Sequence, residues 1–378
     1  MVIDDIKNLG YKVDNNYVIS DNYSLLYKIR IIIPYGFNRE ELLIFPYSSL
    51  FLGILNNYFT FPCKIDYKMG PTYSILKINL YDLHNIPIVL GTIFNFMESI
   101  EVDKLLTPLD TNGSGESLMD KFLKSNIKLY NEGNYDFLSY KGTPVSDLMY
   151  KEYQFLSTAS YEEKLKKLNN TKEVFKEEKS IIFIQGMNAS KLNFKSHKLD
   201  VDRIEKCELY ENNKYSIIDN AKTVTLTFNK DADDRINYIL NLFLLDFYSE
   251  LFETHKLITS IPDSIVFYFD TDIEKYGEDV LTAQWGNRLF NEKDENFYGL
   301  YCDFKCRFIE KVLSHYDNYD NDIDKAVDVF TGNEIFYTRG EIIEVINQIT
   351  MRPLSEFIKD IHFIIDLVEK SRKEAENV

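Results

Sequence analysis

The side chains that could do metal or nucleophile chemistry are few and scattered. Five histidines (His84, His197, His255, His315 and His362) must carry any histidine-based reaction in this chain of 378 residues. No two of them lie within one helical turn. The His-x-x-Glu-His pattern and its inversion, which put two imidazoles and a general base on one helix face, are therefore both absent. His362 and Asp366 are spaced to share a metal, but they read more simply as a surface pair. Of the four cysteines, Cys302 and Cys306 fall on an expected helix, Cys63 and Cys207 are isolated, and no Cys-x-x-Cys occurs. That usage suits a reducing compartment and not a disulfide scaffold. Asp320-Asn-Asp322-Ile-Asp324 opens like a calcium loop. Lys325 then replaces the turn-making glycine and Thr331 the bidentate glutamate, so the stretch reads as a solvated acidic loop. Gly113-Ser-Gly115 lacks the Lys and Ser/Thr of a phosphate loop, and there is no Gly-x-Ser-x-Gly elbow. The residues themselves indicate no catalytic centre, no metal site and no cofactor.

The elements around them read as an α+β protein. Tyr23–Ile33 is dense in β-branched and aromatic residues and predicts a mostly buried strand ended by Pro34-Tyr-Gly36. A helix starts by Pro46 or Tyr47, with Leu50, Phe51, Ile54, Leu55 and Tyr58 at helical spacing. Cys63–Tyr67 and Thr72–Leu80 predict two strands, and Ile88–Met97 a helix. The same order of elements recurs over Lys222–Phe290: strand Thr223–Phe228, a helical stripe from Ile236 to Leu251, strand Ser264–Phe269, then a helix from Thr271. The expectation is two repeated α/β-sandwich domains, each an antiparallel-rich sheet covered by helices and related by an internal twofold. They are placed at 1–190 and 191–378. Met1–Ser20 reads as a short strand or arm with a turn at Asp14-Asn-Asn16. Glu116–Leu129, Asp147–Phe155, Tyr161–Lys176, Phe297–Tyr316, Glu341–Thr350 and Leu354–Glu369 read as helices, and Ser180–Ile184 as a short buried strand.

Composition narrows the function class. With 45% hydrophobic and 27% charged residues the chain is globular, and a formal net charge of -17 argues against a phosphate backbone as partner. The first residues lack the basic and apolar regions of a signal peptide. The most apolar run, Tyr238–Phe252, contains Asn241, Asp246 and Glu250 and reads as a core helix. These features point to a cytoplasmic protein without a membrane partner. Tyr and Phe, at 27 each, reflect either biased genome composition or an aromatic-lined cavity for extended peptide.

The order of elements resembles the pitrilysin/insulinase-like (M16) metallopeptidases. Ile31-Ile-Ile-Pro-Tyr-Gly36 looks like that family's first core strand and turn, and Ser49-Leu-Phe-Leu-Gly-Ile-Leu55 like its active helix. Ser180–Gly186 is similar to the strand closing the family's first half, and Ser249-Glu-Leu-Phe252 to its Ser-Arg-Leu-Phe segment, with Glu250 in place of the arginine. The resemblance implies that two zinc histidines would fall at Leu50 and Ile54 and a general-base glutamate at Gly53, so all three are lost. It further implies a catalytically inactive subunit that pairs with a zinc-bearing M16 partner for peptide processing, such as that of a bacteriocin precursor. Peptide would then add to an exposed strand edge, either Thr72–Leu80 or Ser264–Phe269, with Tyr73, Ile75, Ile265 and Phe267 as peptide-binding residues. The alternative from another class is a stand-alone structural or scaffolding protein of a phage or mobile element.

Overall fold

A computed structural model describes residues 2–22, 24–33, 45–57, 59, 61–69, 73–108, 116–131, 154–198, 215–218, 221–229, 239, 242, 243, 246, 256–261, 264–270, 295–317, 322–332 and 334–359. The chain forms two units. The first comprises Met1–Lys141, Val145–Cys207 and Asp320–Thr331; the second comprises Gly142–Pro144, Glu208–Tyr319 and Gly332–Val378.

The first unit is built on a sheet of six strands: β1 (Lys12–Asp14), β2 (Tyr17–Ser20), β3 (Tyr27–Ile33), β4 (Ile65–Met69), β5 (Ser74–Leu80) and β6 (Ile181–Gln185). Their order is β1-β2-β6-β3-β5-β4, antiparallel throughout except for the parallel β2–β6 pair. The period-two pattern explains one face: Ile29, Ile31, Leu76, Ile78, Ile182 and Ile184 are fully buried. Helices α1 (Val2–Asn8), α2 (Phe45–Leu55), α3 (Asn85–Ser99), α4 (Val102–Leu106), α5 (Leu118–Asn131) and α6 (Tyr161–Val174) complete this part of the chain. A capping box of Ser160 and Glu163 starts α6, each side chain bonding the other residue's backbone N–H. Asn16, at the β1–β2 turn, is almost fully buried. Its amide donates to the Glu177 and Ser180 carbonyls at 3.1 Å each and accepts from His197 N–H at 2.8 Å.

The opposite face carries a row that runs across the strands in register: Val18, Phe183, Arg30, Lys77 and Asp66. A buried arginine in a central strand needs a counter-charge, and it comes from a distant part of the sequence. After α7 (Glu295–Asp317), helix α8 (Ile323–Phe330) packs against α1, β3 and β6. Arg30 Nε and Nη2 donate to the two carboxylate oxygens of Asp324 at 2.8 and 3.0 Å, and Lys77 Nζ lies 3.0 Å from the same carboxylate. Arg30 Nη1 donates to the Ile29 and Ile78 carbonyls at 2.9 and 3.2 Å. Phe330 meets Phe183 edge-on at 5.4 Å.

The second unit holds the antiparallel sheet β7 (Tyr215–Ile218), β8 (Ala221–Asn229), β9 (Lys256–Ile261) and β10 (Ser264–Asp270), ordered β7-β8-β10-β9. The order β3-β5-β4 of the first sheet recurs here as β8-β10-β9, so in each the hairpin's second strand lies inside. The core around α7 is aromatic: Phe243 lies 5.3 Å from Phe304, 5.1 Å from Phe308 and 5.5 Å from Phe357. Helix α9 (Arg339–Met351) begins with a second capping box, Thr338 with Glu341.

Two readings need correction, and one strand was not foreseen. Residues 2–8, expected as strand or arm, form α1, with Asp4 and Asp5 in the first turn, where the helix dipole favours them. The acidic run ending at Asp324 is not simply a solvated loop. Asp322 caps α8, accepting from the Asp324 N–H at 3.0 Å, and Asp324 is the counter-charge of Arg30. Lys256–Ile261, for which the sequence suggested no element, forms β9. Gly113–Gly115, Thr271–Phe290 and residues 360–369 lie outside the described residues, as does most of Asp147–Phe155.

Two outcomes follow for stability. Asp324→Ala leaves Arg30 buried without its counter-charge and should cost about 3 kcal/mol in denaturant unfolding, whereas Arg30→Met combined with Asp324→Leu should cost less. An equal or larger loss in the double variant would contradict the pairing. Burial pushes the Asp324 carboxyl up, but bonds and charge from Arg30 and then Lys77 outweigh it and hold the group well below the usual carboxylate range. The folded-state value is depressed, so the pair's contribution is present above about pH 4 and is lost as pH falls further. The gap between wild type and Asp324→Asn should therefore be constant from neutrality to about pH 5 and narrow in stronger acid. Separately, Gly186 has φ of 158°, and a Cβ there would lie 2.3 Å from the Tyr27 ring. Gly186→Ala should cost about 2 kcal/mol, and Tyr27→Ala in the same chain should recover part of the loss.

Candidate functional site

Helix α2 is the element on which the resemblance would put metal chemistry. Leu42–Cys63 contains no charged residue and no histidine. Leu50 is 7% exposed, Phe51, Leu52 and Leu55 are buried, Ile54 is half-buried, and Gly53 is exposed. A side chain at Gly53 would meet open space. Helix α2 packs against α3, α5, α6 and strand β4. Leu50 and Ile54 are thus one turn apart, and both are aliphatic.

The polar work of α2 is done at its C-terminal end. Asn56 Nδ2 donates to the Ile65 carbonyl at 3.1 Å, and its Oδ1 accepts from Ile65 N–H at 2.8 Å. This two-point bond ties the helix end to the first residue of β4. The next amide behaves differently: Asn57 Nδ2 donates back to the Gly53 carbonyl at 3.1 Å.

The edge strands expected for peptide are corrected. Strand β5 lies between β3 and β4, and β10 between β8 and β9, so each already has a partner on both sides and neither can accept an added strand. Among the described residues, β4 and β1 are outermost in the first sheet and β7 and β9 in the second. Tyr73 and Ile75 are buried, and Ile75 pairs with Ile32 and Lys68. Ile265 pairs with Phe228 and Ser260, and Phe267 with Leu226 and Ile258. Strand β4 has the look of a protected edge, with the charged Asp66 and Lys68 exposed and alternating with Ile65 and Tyr67. Sequence reasoning missed Asn56; the signal available was an Asn at the expected end of a helix, directly before an edge strand.

Candidate ligands and nucleophiles lie apart. His84 sits before α3, where its N–H donates to Asp82 Oδ1, the His197 backbone bonds Asn16, and His315 contacts Glu334. His255, His362 and Ser249–Phe252 lie outside the described residues. Among the described residues, no group of three His, Cys, Asp or Glu could hold a metal ion. Burial pushes the Cys63 thiol up to about 11, away from a thiolate nucleophile at neutral pH. No described helix is long and apolar enough to cross a membrane.

No protein-family model matches the chain, and no curated protein matches its sequence. Solved structures do match. A conserved protein from Enterococcus faecalis V583 is 14% identical with a TM-score of 0.54, covering 93% of this chain and 96% of that one. A protease from Helicobacter pylori is 10% identical with a TM-score of 0.54, covering 93% and 95%. A chain of complex III2 from Candida albicans, solved with Inz-5 bound, is 10% identical with a TM-score of 0.53, covering 93% and 92%. A predicted insulinase family protease from Yersinia pestis and pitrilysin also match, at TM-scores of 0.48 and 0.49. At such identities the likeness is one of fold: this chain is similar in fold to the Enterococcus, Helicobacter and Candida proteins over 93% of its length.

Proposed function

We propose that the chain is a catalytically silent M16-like subunit that binds an extended peptide and completes a processing chamber with a zinc-bearing M16 partner. The observation that carries the reading is the chemistry of α2. Where the resemblance puts two zinc ligands and a general base, this chain has Leu50, Ile54 and Gly53. A catalytic zinc needs about three protein ligands and an open position. Aliphatic side chains supply none, so hydrolysis falls to the partner.

The contribution of this chain is then confinement and alignment. An extended peptide adds as a strand to β4, gaining backbone hydrogen bonds that are independent of its sequence. Ile75 in the neighbouring inner strand and Tyr73 just before it, with Ile265 and Phe267 as their counterparts in the second sheet, support such an edge. The peptide class is a ribosomal precursor such as that of a bacteriocin, processed in the cytoplasm.

The test is metal analysis and a peptidase assay on the purified chain, beside co-purification from the source cell. The expected outcome is less than stoichiometric zinc, no cleavage by the chain alone, and cleavage once a co-purified His-x-x-Glu-His partner is added. Tightly bound zinc with intrinsic peptidase activity would overturn the reading, as would a chain that co-purifies with no such partner.

A further inference from the structure

The bond between Asn56 and Ile65 has the form of a strand pairing. In a β-strand the N–H and C=O of one residue point to the same side. Both groups of Ile65 engage the Asn56 amide, at 2.8 and 3.1 Å, so both point away from Ile78, the residue opposite on β5. A primary amide offers one donor and one acceptor in the arrangement of a peptide group. Asn56 thus stands where the backbone of an added strand would stand. It is held there by the end of α2: its own N–H donates to the Leu52 carbonyl at 3.0 Å, and the preceding Leu55 is fully buried.

We infer that Asn56 is a built-in cap on the outer strand of the first sheet, occupying at Ile65 the backbone bonds that an incoming extended peptide would take, and that it must swing aside for a strand to add at the start of β4. The gating half of this inference rests on the reading of β4 as the peptide-binding edge; the capping half does not. The partner is any extended segment able to offer a backbone N–H and C=O in register with Ile65. The cap also guards against the same pairing by a second copy of the chain.

The experiment uses the full chain as wild type, Asn56→Ala and Asn56→Gln, the last moving the amide by one methylene in case the alanine variant folds poorly. Amide exchange at Ile65 is followed together with the anisotropy of a labelled hexapeptide of alternating Val and Thr. Loss of two neutral hydrogen bonds predicts about tenfold faster exchange at Ile65 and, with the edge open, about tenfold tighter binding of the hexapeptide. Unchanged protection of Ile65 in Asn56→Ala and Asn56→Gln would overturn the cap, whatever the peptide does. Equal peptide affinity in wild type and variants would overturn the gate. Faster exchange with no peptide bound by any of the chains would support the cap and count against β4 as a peptide edge.

Discussion

Arg30 is the constraint on which the first unit depends. It sits in the middle of a six-stranded sheet with a side chain only 5% exposed. A guanidinium cannot give up its proton at any ordinary pH, so it must be paired. Nearby backbone satisfies one end through the Ile29 and Ile78 carbonyls. Among the described residues the charge itself is met by Asp324, almost three hundred positions further along the chain. The cross-strand neighbour Lys77 adds a second positive charge, and the same carboxylate serves both. The first sheet is therefore incomplete until the chain has run through most of the second unit and returned as α8.

A buried ion pair of this kind is weak evidence for stability, because the cost of desolvating both ions offsets much of the attraction. Its better-supported role is to select one arrangement. A purely apolar α8 could slide along the face made by Val18, Phe183 and Ile32. The fork of Arg30 on Asp324 sets its position, and Phe330 against Phe183 then fills the space beside it. Asn16 does similar work at the other edge, where one buried amide joins the β1–β2 turn to the segments at 177–180 and 197. Tyr17 adds a hydroxyl bond to Glu177 at 2.6 Å and a ring stacked on Phe194. In both places a polar group with few possible partners fixes a register that apolar packing leaves loose.

These specifying contacts explain what could be read from the sequence and what could not. Strands β3, β5 and β6 and helices α2, α3, α7 and α9 were legible because their apolar residues recur at period 2 or 3.6 over many positions. Helix α8 was not read, although Ile323, Ala326, Val327 and Phe330 are spaced for a buried stripe and Asp322 is a good N-cap. The acidic residues before it matched a loop pattern, and an Asp in the first turn looks solvated until its distant partner is known. The inner position of β5 was hidden for a related reason. Alternation tells which face of a strand is buried, but not which strands flank it.

The candidate site shows the same division. Leu50, Gly53 and Ile54 could be aligned with a motif by sequence, and the structure adds what kind of place they occupy. Helix α2 is apolar nearly all round, and such a helix belongs in a core. Leu50 contributes to the buried surface beside Phe51, Leu52 and Leu55, so a histidine introduced there would enter an aliphatic environment and carry an unsatisfied ring nitrogen. Gly53 is the opposite case, exposed and with open space where its Cβ would be. Helix α2 buries its aliphatic side chains and makes a precise polar link at Asn56 to the outer strand β4. That link sets the placement of β4 against α2: the contacts of the helix with its neighbours are apolar packing, and one amide with two possible bonds fixes where the strand begins.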